Sequence, residues 1–318
     1  LERGRYFAIF GSQEELIMRH LTLLIATIIL ATAPGFASDS KAKQTEPPAP
    51  YPIGSKFSRT VQKVTGINII TQYVASKAAE AAIKKKVGGK VKVKVKTYSL
   101  TSLISGKVKS VDVHVIDPSV EGVTAGDINV SSDSPFWYNY KKSKTISRGM
   151  QTPVLMTVKA KVSEKQIAQA LNSPKVTSSL RGLKLDLPGL GEEELAVLNP
   201  KVDVEGDRIT LDAILAVKGA SVDTGVPVKI SAVPRLEGDS KILLEQLKVD
   251  SDGIVEPEKF AAFAETLLNP IIDFGRMDRK DHAFRLKSFK LEGDSVSGDG
   301  KLLLAPRGGN TKVVETVK

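Results

Sequence analysis

Seven residues constrain this chain more than any others: Lys90-Val-Lys-Val-Lys-Val-Lys96. Successive side chains of a β-strand point to opposite faces, so this alternation builds a strand with one wet face and one dry face. The same period recurs in Val108, Val111, Val113 and Val115 around Gly106, and again in Val154, Met156, Val158, Ala160 and Val162. Ile209 to Val217 and Val226 to Ala232 repeat it. Leu286 is followed by Phe289 and Leu291, a change of register that predicts a bulge near Ser288. A turn at Gly293-Asp294 then returns the chain through Leu302 and Leu304.

Helices are few. Asn68 to Lys86 is predicted as one, stopped by Gly88-Gly89. Ile70, Tyr73, Val74, Ala78 and Ala81 fall near one face, and its many alanines make it slim. Ser163 caps a short helix through Asn172, with Gln166 placed for a capping box. Pro257 opens a third, which carries Phe260, Phe263, Ala264, Leu267 and Leu268 towards Asn269-Pro270. The sum is an α+β fold: a long antiparallel, half-buried sheet with a few helices on its dry face. So much apolar sheet and so little helix leaves two outcomes open. Loops and a second sheet layer fill the space, or a lipid chain does.

Residues 1–37 read as a signal peptide region with Met18 as the true start. Arg19 and His20 precede an apolar run from Leu21 to Ala33, and Gly35 and Ala37 are the small residues before cleavage. An uncleaved anchor is the alternative, although the run falls short of the roughly twenty residues that span a bilayer. Residues 38–56 form a Pro-rich linker with Pro47, Pro48, Pro50 and Pro52, residues 57–306 the domain, and 307–318 a flexible tail. The net charge is +10, and the acidic and basic residues before position 38 cancel. Such a chain suits an anionic partner; export favours lipid or envelope polymer over nucleic acid. No cysteine is present, which excludes disulfides, thiolate metal sites and a cysteine nucleophile. Asp250-Ser-Asp-Gly253 fails as a calcium loop, because Lys259 stands where a glutamate is required. His114 and His282 have no nucleophile at telling spacing. No catalytic residue, metal or cofactor is expected.

The stretches Leu100-Thr-Ser-Leu-Ile-Ser-Gly-Lys-Val-Lys-Ser-Val-Asp112 and Glu121-Gly-Val-Thr-Ala-Gly-Asp-Ile-Asn-Val130 follow the lysine–valine strand. The closing run is His282-Ala-Phe-Arg-Leu-Lys-Ser-Phe-Lys-Leu-Glu-Gly-Asp-Ser-Val-Ser-Gly-Asp-Gly-Lys301. With the exported start and the slim helix, this order resembles the LmeA-like phospholipid-binding family, over about Ser58 to Pro306. The resemblance implies a tubular lipid-binding architecture, in which a strongly curved antiparallel sheet wraps round a long helix and encloses an apolar channel. It implies an exported bacterial protein, in the periplasm or another extracytoplasmic compartment and peripheral to the membrane, that binds phospholipid and assists envelope lipid or lipoglycan metabolism. It carries over no catalytic residue.

On this reading Ile70, Tyr73, Val74, Ala78 and Ala81 line the channel. Lys90, Lys92, Lys94 and Lys96 hold the protein against anionic lipid, or else form a solvated face that keeps an edge strand soluble. Phe136, Trp137 and Tyr138, followed by Tyr140, Lys141 and Lys142, form a loop at the channel mouth that enters the membrane interface, or else fold onto the core. The rival function is a β-rich scaffold that binds an acidic envelope polymer or a partner enzyme. The oligomeric state is not legible.

Overall fold

A computed structural model describes residues 49–53, 67–120, 123–139, 149–179, 181–187, 191–254 and 256–306. The expected signal segment, the tail and all of the linker but 49–53 lie outside them. The main strands are β1 (Lys90–Lys96), β2 (Ser110–Ile116), β3 (Asp127–Ser132) and β4 (Val154–Ser163). They continue with β5 (Arg181–Leu187), β6 (Gly191–Glu205), β7 (Arg208–Val217), β8 (Val226–Glu237), β9 (Lys241–Asp250) and β10 (Ile272–Asp273). The last two are β11 (His282–Glu292) and β12 (Ser295–Leu304). The helices are α1 (Ile67–Val87), α2 (Leu100–Ile104), α3 (Glu164–Leu171), α4 (Pro174–Ser179) and α5 (Pro257–Leu268).

Two six-stranded antiparallel sheets result, so the fold is α+β and mostly β. The first runs β1-β2-β3-β4-β12-β11, the second β5-β6-β7-β8-β9-β10. The second is a simple meander laid down between β4 and β11. The first and last of the main strands therefore build the first sheet, and the fold includes a curled half-barrel sheet.

The lysine–valine strand forms as its alternation requires. Lys90, Lys92, Lys94 and Lys96 are exposed, while Val93 and Val95 enter the core with Val111, Val113 and Val115 of β2. As the edge of its sheet, β1 has outward N–H groups to satisfy. Helix α1 lies along it: Val95 N donates to Ser76 Oγ at 3.1 Å and Val93 N to Glu80 Oε1 at 3.2 Å. Four residues of helix rise about 6.0 Å and two of strand about 6.8 Å, so the two ladders stay in step over one turn. This closes an edge that would otherwise invite pairing with another chain.

Helix α1 ends where expected, at Gly88 and Gly89, both with positive φ. Its buried face is not the expected one. Thr71, Ala75, Ala79, Ile83 and Val87 point inward, a stripe of four-residue steps. Apolar residues surround this helix on all sides, so spacing alone singles out no face.

The opposite edge of the first sheet is β11. Its Leu286 N donates to Asp239 O in the β8–β9 turn at 2.8 Å, which ties the two sheets together. Arg285 reinforces that seam. It is only 5% exposed and makes a bidentate pair with Asp278 at 2.8 and 2.6 Å, with Asp239 at 3.5 Å from Nε. The hydrogen bonds from its guanidinium to Asp278 raise its pKa above the ordinary arginine value.

The short helices follow their caps. Ser163 and Gln166 form the expected capping box on α3, and Glu164 Oε2 of α3 accepts from Val204 N of β6 at 3.2 Å. Helix α5 begins at Pro257 and lays Ala261 and Ala264 on Leu244 and Leu247 of β9.

Candidate functional site: an apolar hollow in the first sheet

Register places small residues side by side. Ala160 of β4 pairs with Gly298 of β12 on one side and with Ile128 of β3 on the other. Gly298 pairs in turn with Phe289 of β11. The row Ile128–Ala160–Gly298–Phe289 is thus tall at both ends and low in the middle. In the next row Val158 pairs with Gly300, and Gly300 with Leu286. Two adjoining rows with glycine or alanine at their centre leave a hollow on the face turned towards the second sheet.

The expected bulge makes this possible. Leu286 and Phe289 are three apart and would face opposite sides of a regular strand. The register of β11 against β12 shifts between Leu286 and Ser288, so both point inward. Gly300 is required by contact rather than by backbone angle. A Cβ there would stand 2.3 Å from Cζ of Phe284 and 2.8 Å from Arg285 O. The Phe284 ring occupies that space and meets Phe274 edge-on, with centroids 5.0 Å apart.

The second sheet supplies the roof. Ile242 of β9, Ile272 of β10, and Phe274 and Met277 of a 3-10 turn (Phe274–Met277) close over the hollow. Phe274 N donates to Ser240 O at 2.6 Å, and Arg285 grips Asp278 just beyond the turn. The hollow is partly open and has a volume of about 200 Å³. Its lining includes no Asp, Glu, Lys or Arg; the polar residues among it are His282 and Ser297. The His282 ring is fixed by Asp281, with Nδ1 to Oδ1 at 2.8 Å. An apolar cavity of roughly 150 Å³ already stays free of water and takes up benzene. A space of this size and character suits hydrocarbon.

The helix residues expected to line a channel do not line this hollow. Tyr73 and Val74 are 54% and 46% exposed, Ala81 is exposed and Ala78 half-buried, and none of them lines the hollow. The side chain of Ile70 lies outside the described residues. The aromatic segment is a strand (Phe136–Asn139), not a loop, and alternation decides its exposure. Phe136 is 0% and Tyr138 8% exposed, both in the core, which corrects their assignment to the membrane interface. Trp137, between them, is half-buried, and Lys141 and Lys142 lie outside the described residues. The four lysines of β1 are exposed as expected, but on the face opposite Val93 and Val95, turned away from the core. They do not ring the hollow. A signal for this hollow was present in Ala160, Gly298 and Gly300, yet it becomes visible only once strand pairing is known.

The sequence profile of the LmeA-like phospholipid-binding family matches residues 66–300, which spans α1 and nearly all of both sheets. The chain belongs to this family. The capped edge strand, the bulge and all of the hollow's lining but Leu302 lie within the matched region of this LmeA-like chain. Among curated proteins and among solved structures nothing matches. Among the described residues no helix is long and apolar enough to cross a membrane.

Proposed function

We propose that this LmeA-like protein is an exported envelope protein that carries a phospholipid, or a related amphipathic lipid, with acyl chain in the hollow of the first sheet. The observation that carries this reading is the hollow itself, apolar but for His282 and Ser297 and lined from both sheets. Burial of each methylene contributes about 0.8 kcal/mol, so even a short length of chain is held. The role is passive: no bond is made or broken, and the protein shields hydrocarbon from water between membranes or presents it to an enzyme. The strongly basic surface supports work close to an anionic membrane. The exposed lysines of β1 supply long-range attraction rather than headgroup contacts at the hollow, because they lie on the other face of the sheet.

The test is native mass spectrometry of protein purified from its own envelope fraction. A bound lipid mass, released on denaturation, is the expected result. A protein that arrives empty and takes up no fluorescent fatty acid from solution overturns the reading and leaves the scaffold function in its place.

A further inference from the structure

Three of the six exposed large hydrophobic side chains among the described residues gather at one end of the first sheet: Tyr73, Val74 and Ile104. Ser76 is bonded to Val95, so Tyr73 and Val74, nearly a turn earlier on α1, stand level with the end of β1. Helix α2 follows β1 directly and packs against α1, with Ile104, 62% exposed, at its last position. Trp137 belongs to the same end, since its indole N–H donates to Ser105 O just after α2, at 2.9 Å.

Lysines accompany each ring. Lys107 Nζ stands 5.0 Å from the centre of the Trp137 ring and 5.8 Å from that of Tyr51. Lys77 Nζ is 5.8 Å from the Tyr73 ring. Amphipathic aromatic rings beside lysines are the composition of a membrane–water interface.

Tyr51 donates to Val108 O at 2.6 Å, which anchors residues 49–53 at this end, and Asn139 pairs with Gly149. The chain as a whole is basic, with a net charge of +10, which suits an anionic surface.

We infer that this end of the first sheet is a membrane-docking tip for an anionic bilayer. Ile104, Tyr73 and Val74 enter the interfacial layer, the Trp137 ring lies at headgroup level, and Lys107 faces lipid phosphates, while Lys77 is held by Glu80 at 2.6 Å. This rests on the lipid-binding reading above but uses no residue of the hollow, so the two fail separately.

The experiment is co-sedimentation of the full chain with mixed phosphatidylcholine–phosphatidylglycerol vesicles. Ile104→Asp and Tyr73→Ser remove apolar surface already exposed to water, and each should weaken binding by about tenfold. Val217→Asp is the control, a residue 50% exposed at the end of β7 in the second sheet, and should bind as the unaltered protein does. Trp137 is the chain's only tryptophan, and its emission should move to the blue when vesicles are added. Fluorescent fatty acid uptake, measured on the same samples, should be unaffected by the tip variants. Unchanged vesicle binding of both tip variants, or an equal loss in Val217→Asp, overturns the inference. If the unaltered protein binds vesicles through the tip but takes up no fatty acid, the acyl-chain reading falls and the tip stands.

Discussion

Gly298→Val tests the hollow directly. Gly298 sits on the low middle of its row, between Ala160 and Phe289. A Cβ added there would stand 3.2 Å from Cδ1 of Leu286 and 3.5 Å from Ser288 O. The first contact is the tip of a flexible side chain, which can give way, so a valine fits the strand. Its three carbons then occupy volume open to ligand. Displacing about three methylenes of an acyl chain at about 0.8 kcal/mol each removes about 2.4 kcal/mol of binding, or about 50-fold. Stability should change little, within about 1 kcal/mol, since a β-branched residue replaces glycine in a strand and one Leu286 methyl shifts. The assay is titration with a fluorescent fatty acid, with urea unfolding as the check on the fold. A folded Gly298→Val protein that binds the fatty acid at full strength would refute the reasoning.

Three further outcomes follow from the geometry. Gly300→Ala should destabilise the protein by about 1–3 kcal/mol in urea unfolding, because its Cβ meets both the Phe284 ring and the Arg285 carbonyl, and backbone cannot step aside. Arg285→Met should cost about 2–3 kcal/mol, less than the 3–5 typical of a broken buried pair, because water reaches the carboxylates left behind at Asp278 and Asp239; a loss below about 0.5 kcal/mol would show the seam to be held otherwise. Replacing Lys90, Lys92, Lys94 and Lys96 together by Gln should weaken attraction to anionic vesicles at low salt, with the difference shrinking once the screening length falls to about 8 Å. Equal attraction of the unaltered protein to neutral vesicles at every salt concentration would remove that role.

Much of the secondary structure was legible because it is written locally. Alternation gave β1, β4, β7 and the start of β8, the paired glycines gave the end of α1, and Ser163 with Gln166 gave the start of α3. The bulge at Ser288 could be read from a break in the period. Strand β9 was not recognised, because Gln246, with φ of +52°, interrupts its alternation between Leu244 and Leu247. The segment from Phe136 to Asn139 reads as a loop in the sequence because Pro135 precedes it, although four residues suffice for a strand.

The sequence by itself determined the α+β class, the family and the dry and wet faces of the strands, since each depends on neighbours within a few positions. Only the tertiary structure decided which face of α1 is buried and where the hollow lies. A helix apolar on every side has no preferred face until a strand edge offers it N–H groups, and Ser76 and Glu80 answer that offer. The hollow likewise depends on residues 138 positions apart, Ala160 and Gly298, becoming neighbours. Strand pairing across a chain is fixed by the whole packing problem, and no local pattern carries it.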